Sequence, residues 1–305
     1  MRSAIGGWLV LGLATLAQGQ ATQPADISAP FAPPLLSLQP APPDSVYAPP
    51  SPLNEGPQIN QGGVHFELGV AYFTDYVYRG IEVFEPPGSE DLTSLQIDTK
   101  LSFDLGKLPH PFIEMFVNYS DSDPVSSFQE IRPMIGLEWD LRPVVLSGGY
   151  NTYLYPDRDA FETSEVWGKI QLDDSYFLNT TEPFLSPYIY GAYDYDLYSG
   201  WYFEAGVSHD FVLEDLGLVF TTNANVAYVR GFQLFDATPE ENNVSGFQHY
   251  QFGLIGKYSL NKLLNVSSRF GTWSLQGFLY YTDGIDPDLR ATTQVWGGAG
   301  VLFQY

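Results

Sequence analysis

From Val64 onward the chain alternates apolar and polar residues with a period of two, broken at intervals by turn residues. The cleanest run is 94–105, where Leu95, Ile97, Leu101, Phe103 and Leu105 alternate with Ser94, Gln96, Asp98, Lys100, Ser102 and Asp104. Helical spacing would scatter these charges around the element, whereas a strand separates them from the apolar set. Ile131, Ile135, Leu137, Trp139 and Leu141 alternate with Glu130, Arg132, Gly136, Glu138 and Asp140 in the same way, and further runs fall at 217–230 and 246–260. A face this charged does not suit a protein core. Most runs are about 10 residues long, the length a tilted strand needs to cross a bilayer. Apolar residues toward lipid and polar ones toward a lumen satisfy the pattern. The expected fold is all-β, a transmembrane antiparallel up-and-down β-barrel.

About twelve such segments can be placed, at 64–84, 92–106, 111–121, 127–142, 143–155, 163–174, 183–196, 199–211, 217–230, 246–260, 264–282 and 291–305. An even count brings both ends of the barrel chain to one side of the membrane. Connections after odd-numbered segments, such as EPPGSED and FDATPEENNVSG, are acidic and several are long. Those after even-numbered segments are mostly tight, the asymmetry expected of outer loops and periplasmic turns. The stretch 173–183 departs from this, being long where a periplasmic turn is expected. The final segment sets Val295, Ala299, Val301, Phe303 and Tyr305 on one face and Gly298, Gly300 and Gln304 on the other. It resembles the closing strand of bacterial outer-membrane proteins, and the resemblance implies that Val301, Phe303 and Tyr305 are read by the barrel-assembly machinery during insertion.

Before the barrel, residues 1–21 read as a cleavable signal peptide. Arg2 supplies the positive region, Trp8 to Leu16 a short apolar stretch, and small residues near Ala17 to Ala21 a cleavage site. Residues 22–63 are crowded with proline and read as a disordered, semi-stiff periplasmic linker, leaving 64–305 as the barrel. The 36 acidic against 13 basic residues give a net charge of -23, which argues against nucleic acid as a partner. Aromatic and charged residues each make up 16%, an aromatic-rich and charge-poor balance that suits a barrel with interfacial girdles. The chain has no cysteine, so thiolate chemistry and disulfides are excluded.

The first segment carries Thr74-Asp75-Tyr76-Val77-Tyr78-Arg79-Gly80-Ile81. This resembles the TDYxFRGI segment near the start of the TorF-type porins of proteobacteria, which implies an outer-membrane channel. Read as a continuing strand, it places Tyr72, Tyr76 and Tyr78 at the lipid headgroup level, with Asp75 and Arg79 on the opposite face. Those two lie about 13 Å apart along a strand, so each is expected to find its partner on a neighbouring strand.

Enzymatic chemistry finds little support in the sequence. Of the four histidines, His65 and His110 fall at expected periplasmic ends and His209 low on its strand. Only His249 lies near an outer mouth, with Ser245 and Asn242 as a nominal set; Asp194 and Asp196 read as a solvated rim. No enzyme activity, cofactor or metal site is expected. The expected function is passive diffusion of small hydrophilic solutes through an outer-membrane channel with a weak preference for cations. Its lining is assigned to Glu67, Asp75, Arg79, Asp98, Lys100, Glu114, Glu130, Arg132, Glu138, Glu165, Lys169 and Glu204, with Asp173 and Lys257 also inward. Outer-membrane lipids and lipopolysaccharide are the expected surroundings. The alternatives are a plugged barrel acting as an anchor or adhesin through its acidic loops or Pro-rich arm, and a soluble exported β-protein.

Overall fold

The computed structural model describes residues 63–82, 93–120, 128–156, 162–180, 183–232, 244–289 and 291–305. The expected signal peptide, all but the last residue of the expected linker, Asn242 and much of the acidic loops lie outside them. The strands are β1 (Val64–Phe73), β2 (Val77–Tyr78), β3 (Ile81–Glu82), β4 (Ser94–Phe103), β5 (His110–Ser120), β6 (Phe128–Leu141) and β7 (Val144–Tyr153). They continue with β8 (Thr163–Leu172), β9 (Tyr188–Asp194), β10 (Trp201–Leu213), β11 (Leu218–Phe232), β12 (Val244–Ser259), β13 (Thr272–Gly284) and β14 (Gln294–Gln304). All but β2 and β3 join, each to its neighbours in chain order, in a closed twelve-stranded antiparallel barrel. With twelve strands about 4.8 Å apart and tilted by about 40°, the backbone cylinder is roughly 24 Å across.

Closure is made between the first and last strands. β1 pairs with β14 from Glu67 opposite Gln304 to Phe73 opposite Gly298. Phe66 and Tyr305 extend the seam by exchanging both backbone hydrogen bonds at 2.8 Å. All twelve expected strands are present; the first ends at Phe73 and not at residue 84, and the eleventh begins at Thr272 and not at residue 264.

The barrel wall is inverted relative to a water-soluble fold. Ile113, Ile135, Leu137, Ile189, Phe252 and Leu279 are each more than half exposed on the outside. Their strand neighbours on the inside, among them Asn118, Glu130, Arg132, Asn151 and Glu165, are at most 1% exposed. An apolar belt of this extent has no place in water and matches hydrocarbon. Tyr193, Trp201 and Phe203 form an outward ring cluster, with Trp201 and Phe203 stacked at 5.6 Å, as interfacial aromatics do.

The end that carries Val64 and Tyr305, here the near end, has the compact turns. Arg142 and Pro143 alone join β6 to β7. The long turn between β8 and β9 holds the short helix α1 (Ser175–Leu178) and is ordered by Asp174, whose carboxylate accepts from Phe184 N at 2.7 Å and Leu185 N at 2.8 Å. Between β12 and β13, Ser259 caps helix α2 (Leu260–Leu264) by accepting from Lys262 N. Asn261 there accepts from Trp273 N at 2.5 Å, tying the turn to the returning strand.

The closed ladder predicts a mature protein that migrates as a compact band on gels before boiling and as a slower band afterwards. Replacement of Tyr305 by Asp is expected to lower the heat-modifiable fraction, because the seam ends at that residue with its ring on the lipid face. Unchanged assembly of Tyr305→Asp would remove its assigned role in closure.

Candidate functional site: the lumen and its inserted hairpin

After Phe73 the chain leaves the wall. Thr74 N donates to Gly297 O at 2.8 Å, and Gly297 N returns a bond to Thr74 Oγ1 at 3.2 Å, fixing the departure point. The chain then enters the barrel as a hairpin of β2 and β3, with Val77 opposite Glu82 and Tyr78 opposite Ile81. Its two-residue turn is Arg79-Gly80, with φ of 47° and 72°. Positive φ at both central residues defines a type I′ turn, whose twist matches that of its flanking strands. Glycine takes this conformation freely; a non-glycine residue there is costly and needs support from its surroundings.

That support comes from the far half of the lumen. Arg79 Nη2 pairs with Glu165 Oε2 at 3.1 Å, and its guanidinium lies 3.9 Å from the centre of the Tyr202 ring. Tyr76 donates to Glu130 Oε2 at 2.7 Å, and the Tyr78 and Tyr153 hydroxyls meet at 3.2 Å. Tyr153 in turn donates to Glu165 Oε1 at 2.8 Å. Arg132 joins from β6, its Nε 3.4 Å from Glu130 Oε1 and its guanidinium 4.5 Å from the Phe116 ring. Val77 seats in an apolar cluster with Phe73, Ile255, Tyr280 and Trp296. Tyr76, Tyr78, Tyr153, Glu130, Arg132 and Glu165 are at most 1% exposed, so this half of the lumen is filled by protein.

A bulge in β12 completes the fit. The register with β11 shifts between Val226 and Tyr228, and both Gln248 and His249 turn inward. His249 then lies against Gly80, where a Cβ would come within 2.8 Å of His249 Cβ. At the far rim, Tyr155 and Tyr198 are buried. Burial, and after it Glu130 for Tyr155 and Asp194 for Tyr198, pushes both hydroxyls well up, so they remain neutral donors.

The near half is different. Glu67, Asp98, Lys100, Glu114, Glu138, Lys169 and Glu204 all face inward and are only partly covered. Glu67, Lys100 and Glu114 stand opposite one another across β1, β4 and β5, an alternation of charge along one row. Lys100 Nζ lies 4.6 Å from the Phe112 ring centre and Lys169 Nζ 4.8 Å from that of Tyr188. Glu204 accepts from Tyr188 at 2.5 Å and from Tyr202 at 2.8 Å. Lys257 reaches Gln304 Oε1 at 3.4 Å.

The structure therefore divides the expected lining in two. Asp75, Arg79, Glu130, Arg132 and Glu165 belong to the hairpin and its seat, while the remaining residues face the near half of the lumen, here the vestibule, and are partly covered. Several expectations need correction. Asp194, read as part of a solvated rim, is 3% exposed, and its carboxylate accepts from Thr163 Oγ1 at 2.7 Å and from Tyr198 N at 3.0 Å. Tyr76 and Tyr78 are not at the lipid surface but 1% exposed inside the barrel, because the chain bends inward after Phe73; only Tyr72 faces lipid, at 54% exposure. Asp173 is not a lumen group: its carboxylate bonds to Ser175 in the turn carrying α1. Arg79 pairs with Glu165 of β8, across the lumen, and not, as expected from the sequence, with a residue of a strand neighbouring β1. Sequence reasoning missed Tyr153, Tyr190, Tyr202 and His249 as contributors. The available signal was length, since a strand from 64 to 84 is about twice what a bilayer crossing requires.

No family model matches the chain, and no curated protein matches it. Among solved structures, the chain is similar to the NanC porin (10% identity, 78% of this chain and 98% of that one, TM-score 0.46). It is similar to an outer membrane channel from Pseudomonas putida (10%, 83% and 98%, 0.45). A further likeness is to the translocator domain of the autotransporter NalP from Neisseria meningitidis (12%, 83% and 91%, 0.43). Likenesses this distant decide nothing about function, which has to be sought in the lumen itself.

Replacing Glu165 by Gln leaves Arg79 buried without a full counter-charge and is expected to weaken hairpin docking by about 2 kcal/mol. Hydrogen exchange of residues 76–82 reports this directly, and unchanged protection would show that the ion pair does not hold the hairpin.

Proposed function

We propose that this protein is an outer-membrane channel for small hydrophilic solutes, in which the hairpin of residues 77–82 is a displaceable constriction. The observation that carries the reading is the contrast within one lumen. The near half presents partly exposed charges, and the far half is closed by a segment held largely through polar bonds. Buried charge serves no anchor, because each desolvated carboxylate or ammonium costs stability unless water or a partner reaches it. Polar docking also differs from apolar docking in its reversibility. Each such bond is exchanged for one with water at a net cost of about 1 kcal/mol, whereas an apolar plug loses the whole of its buried area.

On this reading the near end faces the periplasm and the acidic loops face outward. Residues 1–21 act as the signal peptide and 22–63 as the periplasmic linker. The resemblance to TorF-type porins falls on the hairpin itself: Tyr76, Tyr78, Arg79 and Gly80 are the residues that dock and turn it, which gives the segment a physical role. The vestibule carries Glu67, Asp98, Glu114, Glu138 and Glu204 against Lys100, Lys169 and Lys257. This acidic excess in a narrow, low-dielectric passage concentrates counter-ions and favours cations. Neither Glu130 nor Glu165 is assigned to selectivity, because each is engaged in holding the hairpin.

A second reading, the plugged barrel acting as an anchor or adhesin, is favoured by the filled far half. Planar-bilayer recording separates the two. The channel reading expects small, cation-preferring conductance that rises in Glu165→Gln. Replacing Glu67 and Glu114 together by Gln should reduce the cation preference, most visibly at low salt, where screening is weakest. Absence of conductance from both wild type and Glu165→Gln would select the anchor, and a preference for chloride would overturn the assigned selectivity.

A further inference from the structure

The lumen places its cations over aromatic faces. Arg79 lies over Tyr202 at 3.9 Å, Arg132 over Phe116 at 4.5 Å, Lys100 over Phe112 at 4.6 Å and Lys169 over Tyr188 at 4.8 Å. Each ring turns its negative face to the interior, where a cation is attracted to it. These faces are available because several rings lie flat against the wall over residues without side chains. The Phe112 ring occupies the place a Cβ on Gly136 would take. Trp167 lies over Gly149, its Cζ2 3.0 Å from where that Cβ would stand. Gly136, Gly149 and Trp167 are in register across β6, β7 and β8, so the two glycines form a floor. Phe112 and Trp167 rest on it side by side, with ring centres 6.2 Å apart.

One member of this platform combines several features that point to a solute. Trp167 has the strongest cation-attracting face of any side chain, and it is half-buried where the aromatic cluster that seats the hairpin meets the near half of the lumen. Its Nε1 is buried without a hydrogen-bond partner among the described residues, as is the hydroxyl of Tyr190, stacked 6.1 Å away. Buried donors of this kind are normally satisfied by water or a ligand. The next inward row runs Glu138, Ser147 and Lys169 across β6, β7 and β8, so a carboxylate and an ammonium both border the platform.

We propose that the Trp167 platform is a binding subsite for small organic ammonium solutes, molecules that carry a cationic nitrogen and a nearby oxygen acceptor. The cation stacks on the indole face, where the carboxylates of Glu138 and Glu204 offset the ammonium of Lys169, and the acceptor takes the hydrogen bond that Trp167 Nε1 or the Tyr190 hydroxyl offers. A bare alkali cation gains less, since it must shed tightly held water to meet the ring. The inference deepens the channel reading, resting on it only in that solutes reach the vestibule from the near end.

The test is a calorimetric titration of the full-length mature protein in detergent with choline chloride, compared with sodium chloride at equal ionic strength. Wild type should bind choline saturably and sodium not. Trp167→Ala should weaken choline binding about tenfold, and Trp167→Phe, which keeps a ring, should restore part of it. Heat-modifiable migration of each variant establishes that the barrel is intact; Glu138→Gln, which leaves the platform in place, should weaken binding in the same direction. Equal choline affinity in wild type and Trp167→Ala would overturn the proposal, as would the absence of choline binding to wild type. Choline binding without any conductance would keep the subsite and overturn the channel, and cation-selective conductance without choline binding would do the reverse.

Discussion

Everything in this molecule depends on the seam between β1 and β14. In hydrocarbon a backbone amide or carbonyl without a partner costs several kcal/mol, so a sheet can cross a membrane only when it has no edge. The seam removes the last edge by pairing residues 67–73 with 298–304, and Phe66 with Tyr305 continues it to the rim. Once the ladder is closed, the outward side chains need only be apolar and the inward ones are left to serve another purpose. The inversion of the wall, with isoleucine and leucine outside and glutamate and arginine inside, follows from that freedom.

The interior then meets a second constraint, which is space. A twelve-stranded barrel lies between those that wall side chains can fill and those wide enough to hold an aqueous pore. This chain fills the far half with a hairpin drawn from its own first loop. The near half keeps clearance by pressing rings flat over inward glycines such as Gly136 and Gly149. The hairpin carries a conformational cost at Arg79, a non-glycine residue at positive φ, and this is offset where that residue meets Glu165 and Tyr202. The His249 bulge shows the wall adapting to the hairpin: two adjacent side chains of β12 turn inward at the point where Gly80 arrives.

Polar and aromatic groups share the lumen in a way that neither kind could manage alone. Charges without rings would require far more water than the bore admits, and rings without charges would collapse into an apolar plug. Paired, they let charged groups remain inside a narrow bore, the arrangement on which the proposed channel reading rests.

The sequence by itself determined the number of strands, which face of each meets lipid, where the barrel closes and which end carries the tight turns. These are local properties: a period of two needs no knowledge of partners, and residues 94–105 state their two faces unaided. The long turn at 173–183 was legible as an exception, and Asp174 shows how it is held. What only the tertiary structure decided is how the lumen is used. Alternation says that Glu130 and Glu165 point inward, yet not that one receives Tyr76 and the other Arg79, a residue 86 positions away. The segment 74–82 obeys the same alternation as the strand before it. Arg-Gly is a weaker turn signal than Asn-Gly, so its inward bend was masked by a pattern equally consistent with a longer strand. Partner choice and depth in a barrel are set by the closed register of twelve strands, a property no single stretch of the chain contains.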